Sequence, residues 1–555
     1  MMPRAEEIDS VTLEVFRNQL ESIAEEMGEV LIRSAYSPNI KERQDCSTAL
    51  FDADGRMVAQ AEHIPVHLGA MPDAVEVVME SDPGPGDAFI LNDPFKGGTH
   101  LPDVTIVSTL APEGTVVGYA VTRAHHADVG GMTPGSMPAG ASEIYQEGLR
   151  LPGVELRSGG SLNEDLMDVI LANVRNRTER RADLRAQLAA HDRAEKRLGE
   201  LLAEHGSRRV ENAFGAVIDY SAARMTDELD AVPDGTYSAS DVLEGDGVTD
   251  EDIPIEVTVT VDGRHIAVDF AGTAPQCRGN MNAPLAVAKS AVYFVVRSIT
   301  DPEIPPNHGC YANISVTAPE ETVVNPSPPA AVVGGNVETS QRITDVVFAA
   351  FAEAVPDRVP AGSQGTMNNL IIGTRKRGGF TYYETIGGGF GARPNKDGMD
   401  GVQVGMTNTL NTPIEALEAE YPFTVEEYSF RADSGGRGEY RGGLGLTRSL
   451  TVETDAVVSM LTERRRHRPS GAAGGEPGAA GENLADGEPL PAKATREVDA
   501  GTTITIHTPG GGGYGDPADR DDDASAADRL DGKVTADDDA EDADTDGDDA
   551  TEDTR

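Results

Sequence analysis

The sequence predicts a large α+β protein, a multi-layer mixed α/β structure with β-hairpins, amphipathic helices and glycine-rich loops. Apolar residues from Ser10 to Ser34 recur at the 3.6-residue spacing of a helix, which Asp9 or Ser10 can cap. The segment TALFDADGRMVAQ places two apolar runs around an Asp-Gly pair, as β-hairpins do. The 61 glycines include runs such as GGGFGARP, for which we predict glycine turns because no phosphate-loop signature accompanies them.

The chain of 555 residues is long enough for two or three domains. We predict an N-terminal α/β region (1–160), a long helical region (161–230), a β-rich C-terminal region (231–515) and a disordered acidic tail (516–555). The pattern from Asn163 to His205 predicts one long helical stretch, and Ser470 to Glu488 is predicted to be flexible. Removal of Asp519 to Arg555 is expected to leave folding nearly intact, since few apolar residues lie there.

The chain is strongly acidic, with a formal net charge of -48 and a pI of about 4.4. Only part of this charge lies in the tail, and most basic residues are arginine. Such a composition is typical of a halophilic protein in a salt-rich cytoplasm, where a carboxylate surface stays hydrated. The alternative is an acidic surface that captures cationic partners. Nucleic-acid binding is not expected, because no basic stripe is visible.

Three cysteines, Cys46, Cys277 and Cys310, lack any CxxC spacing, so neither a disulfide scaffold nor a cysteine-built zinc site is predicted. The first residues lack the apolar core of a signal peptide. The longest apolar stretch, from Val346 to Val355, is too short to span a membrane. We therefore expect a cytoplasmic protein without membrane association.

Five of the eleven histidines fall between residues 63 and 126, and the tightest group also contains two aspartates. If VTIVSTL and TVVGYAVTR form a hairpin that turns near residue 113, the numbers of paired residues sum to about 226. His100 then faces His126, and Asp103 faces Arg123. This arrangement gathers His100, Asp103, His125, His126 and Asp128 at one end of the hairpin.

Two neutral imidazoles and one carboxylate are a common ligand set for a catalytic divalent metal, and suit Zn, Mn, Fe or Co better than Ca. The alternative is that these side chains are merely hydrogen-bonded loop residues. The sequence has no GxSxG, no HExxH and no plausible Cys-His nucleophile pair. A metal-activated water is therefore the simplest nucleophile that the residues allow.

Several motifs resemble the hydantoinase B/oxoprolinase family, which includes the B-type components of N-methylhydantoinases, the second half of 5-oxoprolinase and acetone carboxylase alpha subunits. The matching stretches are YSPNIKERQDCSTALFDADG, AEHIPVHLGAMP, NDPFKGGTHLPDV, RAHHADVGG, IYQEGLRLP and HTPGGGGYGDP. They run nearly end to end, apart from the tail. The segment TERRRHRPSGAAGGEPG departs from the family pattern, so the resemblance does not extend to substrate contacts there.

The resemblance implies the B-type subunit of an ATP-dependent cyclic amide hydrolase, of the 5-oxoprolinase or N-methylhydantoinase type. A hydantoinase A-type partner would use ATP to phosphorylate the ring amide, and the two chains would form a hetero-oligomer. The family pattern of metal ligands falls on His100, Asp103 and His125. We take His126, Asp128 and Glu147 as the catalytic candidates, the two carboxyls as possible proton carriers.

Two alternatives stay open on the sequence. The first is the alpha subunit of an ATP-dependent ketone carboxylase. This chain is compact for a member of that branch, which counts against this alternative. The second is a non-catalytic assembly subunit that only shapes the partner's site. A complete set of metal ligands speaks against the second alternative.

Overall fold

A computed structural model describes residues 8–62, 64–375 and 379–535. The described helices are α1 (Ser10–Ser34), α2 (Pro38–Lys41), α3 (Met71–Met79), α4 (Glu164–Asn173), α5 (Arg177–His205), α6 (Ser207–Leu229), α7 (Leu285–Ile299), α8 (His308–Tyr311), α9 (Ser340–Ala354), α10 (Ile414–Glu420) and α11 (Asp522–Leu530). Helix α1 has the predicted bounds, and Asp9 caps it by accepting hydrogen bonds from the backbone N–H of Val11 and Thr12.

The described strands form four sheets. They are β1 (Cys46–Asp52), β2 (Met57–Glu62), β3 (Ala88–Leu91), β4 (Asp103–Leu110), β5 (Gly118–His125), β6 (Pro152–Ser158), β7 (Ser161–Leu162), β8 (Gly235–Glu244), β9 (Asp252–Asp262), β10 (His265–Asp269), β11 (Ile314–Thr317), β12 (Asn369–Gly373), β13 (Thr381–Glu384), β14 (Phe423–Phe430), β15 (Leu446–Val452), β16 (Ala456–Leu461), β17 (Glu482–Ala485), β18 (Glu488–Pro489), β19 (Lys493–Val498) and β20 (Thr502–His507). The combination of helices with mainly antiparallel sheets confirms the predicted α+β class.

The largest sheet has seven strands in the order β2-β1-β5-β4-β3-β6-β7, and all its neighbouring pairs are antiparallel. Its central strands β1, β4 and β5 are buried along their whole length. Helices α1, α5 and α6 contribute to the core on one face, and α3 to the core on the other. Burial on both faces explains why the apolar residues of these strands do not alternate strictly with polar ones.

The predicted register of the β4–β5 hairpin is wrong by two residues. Asp103 pairs with His125, and Leu110 pairs with Gly118, so Arg123 lies opposite Thr105. The loop between the strands spans residues 111–117 and is centred on residue 114 instead of 113, which moves each pairing by two residues. Because side chains alternate with a period of two, a shift of two residues keeps each side chain on its predicted face.

The predicted stretch from Asn163 to His205 is two helices, α4 and α5, separated by three residues. Asn176 adopts a left-handed conformation with φ 53°, which ends the helical path. Arg175 in this break reaches the loop after β5, where its guanidinium donates to Asp128 at 2.9 Å. The break therefore supplies a tertiary contact that helical periodicity does not reveal.

One hydrophobic cluster joins the predicted first and third regions. Val75 of α3, Val257 of β9 and Val347 of α9 all belong to it. The boundaries near residues 160, 230 and 515 therefore remain predictions. They mark changes in composition along the sequence, whereas the first and third regions share part of their core.

The glycine-rich segments pack backbone against backbone. Gly511 donates its N–H to the carbonyl of Gly443 at 2.9 Å, and an added Cβ at Gly511 would lie 2.2 Å from the carbonyl oxygen of Phe390. The segment from Ser470 to Glu488, predicted to be flexible, joins this packing: Gly513 donates to the carbonyl of Glu476 at 2.9 Å. Because glycine has no Cβ, these segments approach closely enough for their backbones to hydrogen-bond directly.

The prediction of a disordered tail is wrong for residues 516–535, and residues 536–555 lie outside the described part. Helix α11 lies within the predicted tail. Its Asp528 is buried and accepts hydrogen bonds from Arg441 at 3.3 Å and Arg520 at 2.5 Å. Ion pairs anchor this segment although it has few apolar residues. A prediction of disorder from low apolar content alone was therefore wrong here.

We expect a chain truncated after Ala518 to be less stable than a chain truncated after Thr535. The first truncation removes Asp528 and leaves the buried Arg441 with Asp400, 3.0 Å away, as its remaining carboxylate partner. A loss of roughly 1–3 kcal/mol in unfolding free energy is expected from the missing charged hydrogen bonds. Urea unfolding of both chains measures it, and equal stabilities would contradict a structural role for α11.

Thermal stability should rise with ionic strength. The net charge of -48 gives strong self-repulsion, which salt screens. Melting temperatures between about 0.1 M and 3 M KCl should increase steadily, because the screening length falls from about 10 Å to a few Å. Glycerol at matched osmolality is the control for general solvent effects. A melting temperature indifferent to KCl would show that the acidic surface does not limit stability.

Candidate metal centre

Three predicted side chains converge at the start of β4 and the end of β5. His100 Nε2 lies 3.0 Å from Asp103 Oδ1, and His125 Nδ1 lies 3.2 Å from the same oxygen. The possible ligand atoms of all three lie within 4.8 Å of one another. Each residue is at most 3% exposed, so the cluster is closed to bulk water.

The backbone positions this cluster by strand pairing. Asp103 and His125 are direct partners across the hairpin, and His100 lies in the turn that leads into β4. The other carboxylate oxygen of Asp103 is held by Thr99, whose hydroxyl donates at 2.8 Å, and by the Asn336 amide at 3.3 Å. Asp103 is thus oriented by groups outside the three, which leaves Oδ1 facing the two imidazoles.

The donor set fits a divalent cation. Within the described residues, both ring nitrogens of His100 and Nε2 of His125 are buried and make no hydrogen bond of acceptable geometry. Unpaired buried nitrogens cost stability unless a ligand satisfies them. Burial lowers the pKa of His125 to about 4, so its imidazole is neutral near pH 7 and has a free lone pair.

The carboxylate of Asp103 is charged despite its burial. Burial alone would raise its pKa, but His100, His125 and His67 hold the pKa well below its usual range. His67 Nε2 is 3.6 Å from Asp103 Oδ2, while its Nδ1 lies 2.9 Å from the Ser47 hydroxyl. A bound cation would balance the negative charge of this buried carboxylate, which three imidazoles surround.

Sequence reasoning missed two further neighbours of the cluster. Burial and the nearby Asp103 raise the pKa of Asp45 to about 6, and its backbone carbonyl accepts from the N–H of His125 at 3.0 Å. Tyr383 of β13 stacks on the His125 ring, with centroids 4.6 Å apart. Asp45 stands in the matched motif YSPNIKERQDCSTALFDADG, which was a usable signal, whereas no local pattern marks Tyr383.

His126 does not join the cluster. Its Nε2 lies 3.0 Å from the side-chain oxygen of Gln187 on α5, as expected if adjacent side chains point to opposite faces. The hairpin pairing estimate placed His126 opposite His100, whereas the structure brings His125 to Asp103. A catalytic role for His126 remains a prediction.

Asp128 and Glu147 hold loops in place. Asp128 accepts from the backbone N–H of Gly130, Gly135 and Arg175 at 2.9–3.0 Å, besides the Arg175 guanidinium. Glu147 Oε1 accepts from the backbone N–H of two consecutive valines, Val332 and Val333, at 2.9 and 3.0 Å. Burial raises the pKa of Glu147 to about 8. These contacts explain why both are buried, and their proton-carrier roles remain predictions.

The sequence profile of the hydantoinase B/oxoprolinase family matches residues 9–517. The chain belongs to this family. The predicted resemblance is therefore confirmed over nearly the whole described length, including the motifs that carry His100, Asp103 and His125.

Curated relatives of this family member include proteins of very different length. An uncharacterized protein of Methanocaldococcus jannaschii is 43% identical over 95% of this chain and 94% of its own length. 5-Oxoprolinase 1 of Arabidopsis thaliana is 38% identical over 91% of this chain, which spans 42% of that longer protein. A Pseudomonas protein assigned as the B component of a D-/L-hydantoinase is 32% identical over 95% of this chain and 93% of its own length.

Two solved structures share the fold of this hydantoinase B family member. The ATP-dependent caprolactamase of Pseudomonas jessenii has 30% sequence identity and a TM-score of 0.88, and the match covers 95% of each chain. Acetone carboxylase has 20% identity and a TM-score of 0.84, over 94% of this chain and 78% of that one, which shows a common fold alone. Within the described ranges, no helix is both long and apolar enough to cross a membrane.

Proposed function

We propose that this chain is the B-type subunit of an ATP-dependent cyclic amide hydrolase that opens a five-membered ring such as that of 5-oxoproline or a hydantoin. The observation that carries the proposal is the buried cluster of His100, Asp103 and His125 in a chain of the hydantoinase B/oxoprolinase family. The names of the relatives, a 5-oxoprolinase and one component of a D-/L-hydantoinase, support the substrate class.

His100, Asp103 and His125 would hold a divalent cation such as Zn, Mn, Fe or Co, because neutral imidazoles and one carboxylate suit these ions. When bound, such an ion supplies a Lewis acid and a nucleophile at neutral pH. The protein itself contributes a dry, fixed setting: Thr99 and Asn336 orient Asp103, and Tyr383 covers one face of His125. Low exposure strengthens every charge interaction in the site.

ATP would be used by a hydantoinase A-type partner in a hetero-oligomer, in the cytoplasm. A lactam is a poor electrophile, and phosphorylation of its oxygen would provide a leaving group. The sequence of this chain has no GxxxxGK[ST] motif for the nucleotide phosphates. This chain spans 42% of 5-oxoprolinase 1. That partial coverage supports a reaction shared between this chain and a separate partner chain.

The proposal is tested by purifying this chain with and without its A-type partner. We expect ATP-dependent conversion of 5-oxoproline or a hydantoin only when both are present, and no ATP hydrolysis by this chain alone. Ring opening is followed by chromatography of the product and ATP cleavage by phosphate release. The partner alone is the matched control.

Two outcomes would contradict this function. Robust ATP hydrolysis by this chain alone would place the nucleotide site here. Incorporation of labelled bicarbonate into a ketone, without ring opening, would favour the carboxylase alternative.

A further inference from the structure

One cavity of the protein, with a partly polar wall, lies outside the histidine cluster. Its volume is about 760 Å³, and α7, α9 and two glycine-rich loops contribute to its wall. His100, Asp103 and His125 are not among its lining residues. The loops are those of GGGFGARP and TERRRHRPSG, two motifs that the proposed function leaves without a role.

Two arginines on this wall have no carboxylate partner among the described residues. Arg393 Nη2 donates to the carbonyl of Asp397 at 3.3 Å, while its buried Nε makes no hydrogen bond. Arg468 donates only to the carbonyls of Gly478 and Pro477, at 2.7 and 2.8 Å. Burial lowers the pKa of Arg393 without a compensating anion. Both guanidinium groups therefore retain unneutralised positive charge.

A third arginine on this wall, Arg464, has two carboxylate partners. Arg464 lines the same cavity and pairs with Asp241 at 2.7 Å and Asp345 at 2.6 Å. Carboxylates are plentiful, because the chain has 94 acidic residues against 46 lysines and arginines. Arg393 and Arg468 face this cavity without such partners, and an anion would complement them.

The remaining wall is partly apolar. Phe294 and Phe348 meet edge to face with centroids 6.3 Å apart, and Phe390 lies under the Arg393 guanidinium at 5.7 Å. All three rings line the cavity and are only half-buried. Ligand pockets commonly combine such apolar walls with a few polar groups that fix orientation. A simple inorganic anion would leave the rings uncovered.

We propose that this cavity binds a small organic anion, with a phosphate or carboxylate group on Arg393 and Arg468 and an apolar or aromatic body against the phenylalanines. The size suits a nucleotide or an aromatic acid, because pockets for small organic ligands measure roughly 300–1,000 Å³. Guanidinium groups recognise phosphate and carboxylate in the same bidentate way. The site would be additional to the metal centre and does not depend on it.

Titration calorimetry on the full chain tests this site with AMP, benzoate and inorganic phosphate as probes. A His100→Ala background excludes binding at the metal centre, so the result is independent of the proposed hydrolase function. We expect AMP or benzoate to bind. Arg393→Gln and Arg468→Gln should each weaken binding at least tenfold, which the loss of one charged hydrogen-bond pair predicts. The two organic probes distinguish a phosphate from a carboxylate ligand.

Controls keep loss of folding separate from loss of binding. Arg185→Gln removes one exposed arginine that does not line this cavity, and should bind as the parent does. Ala349→Trp on α9 keeps the arginines but places a bulky indole in the cavity, and should also weaken binding. Melting temperatures of each variant show whether the fold persists. Absence of binding by AMP and benzoate, binding by phosphate alone, or binding unchanged in both arginine variants would overturn the proposal.

Discussion

Replacing His100 or Asp103 by alanine should remove most of the bound divalent metal and nearly all ring opening. Each change deletes one of three converging donors whose atoms lie within 4.8 Å of one another. If the cation supplies several kcal/mol to the transition state, its loss lowers the rate by roughly 1,000-fold or more, since about 1.4 kcal/mol is a factor of ten. Metal is measured by elemental analysis of dialysed protein, and ring opening with the A-type partner present.

His126→Ala is the matched control for this experiment. It removes an adjacent buried histidine whose ring contacts Gln187 rather than Asp103. We expect the variant to retain stoichiometric metal, with a loss of stability of roughly 1–3 kcal/mol from the broken buried hydrogen bond. Partner ATP hydrolysis should continue in the His100 and Asp103 variants, since it needs no donor from this cluster. Full metal retention in those variants and in His125→Ala would place the metal elsewhere.

Replacing Arg342 by alanine should destabilise the fold by about 3–5 kcal/mol, as removal of one member of a buried ion cluster does. Arg342 is fully buried on α9 and lies 3.0 Å from both Asp241 and Asp345, and 3.5 Å from Glu463. Without this guanidinium, Asp241 and Asp345 keep only Arg464 as a shared cation, so their mutual repulsion is less well balanced. Glu463 keeps its ion pair with Lys493. Urea unfolding monitored by circular dichroism measures the change. Glu353→Ala, an exposed position on the same helix, is the control.

The pH dependence gives this prediction a second test. Burial raises the pKa of Asp345 to about 7, although Arg342 acts to lower it. A carboxyl with a raised folded pKa favours folding at low pH, and that contribution is lost as pH rises through about 7. Removal of Arg342 should raise this pKa further. The stability gap between wild type and variant should therefore be widest above pH 7 and narrow toward pH 5. A gap independent of pH would contradict an electrostatic origin.

Local sequence patterns were sufficient to predict several helices and strands and the neighbourhood of the site. Helix α1 and the β1–β2 hairpin follow from local periodicity and an Asp-Gly turn, which depend only on nearby residues. Hairpin pairing also predicted that His100, Asp103 and the histidine pair would meet. The pairing error of two residues did not separate Asp103 from His125, because an even shift preserves the face of a strand. His126, the other histidine of the pair, contacts Gln187 instead.

The side chains that complete the cluster, and those that hold loops, became evident from contacts between distant segments. Asn336 and Tyr383 reach the site from segments more than 200 residues beyond Asp103 along the chain, so no local pattern announces them. Long-range contacts also distinguish Asp128, which Arg175 holds in a loop, from the aspartate that faces the imidazoles. The physical reason is that local periodicity reports burial and turns, whereas the partner of a buried charge depends on the packing of distant segments.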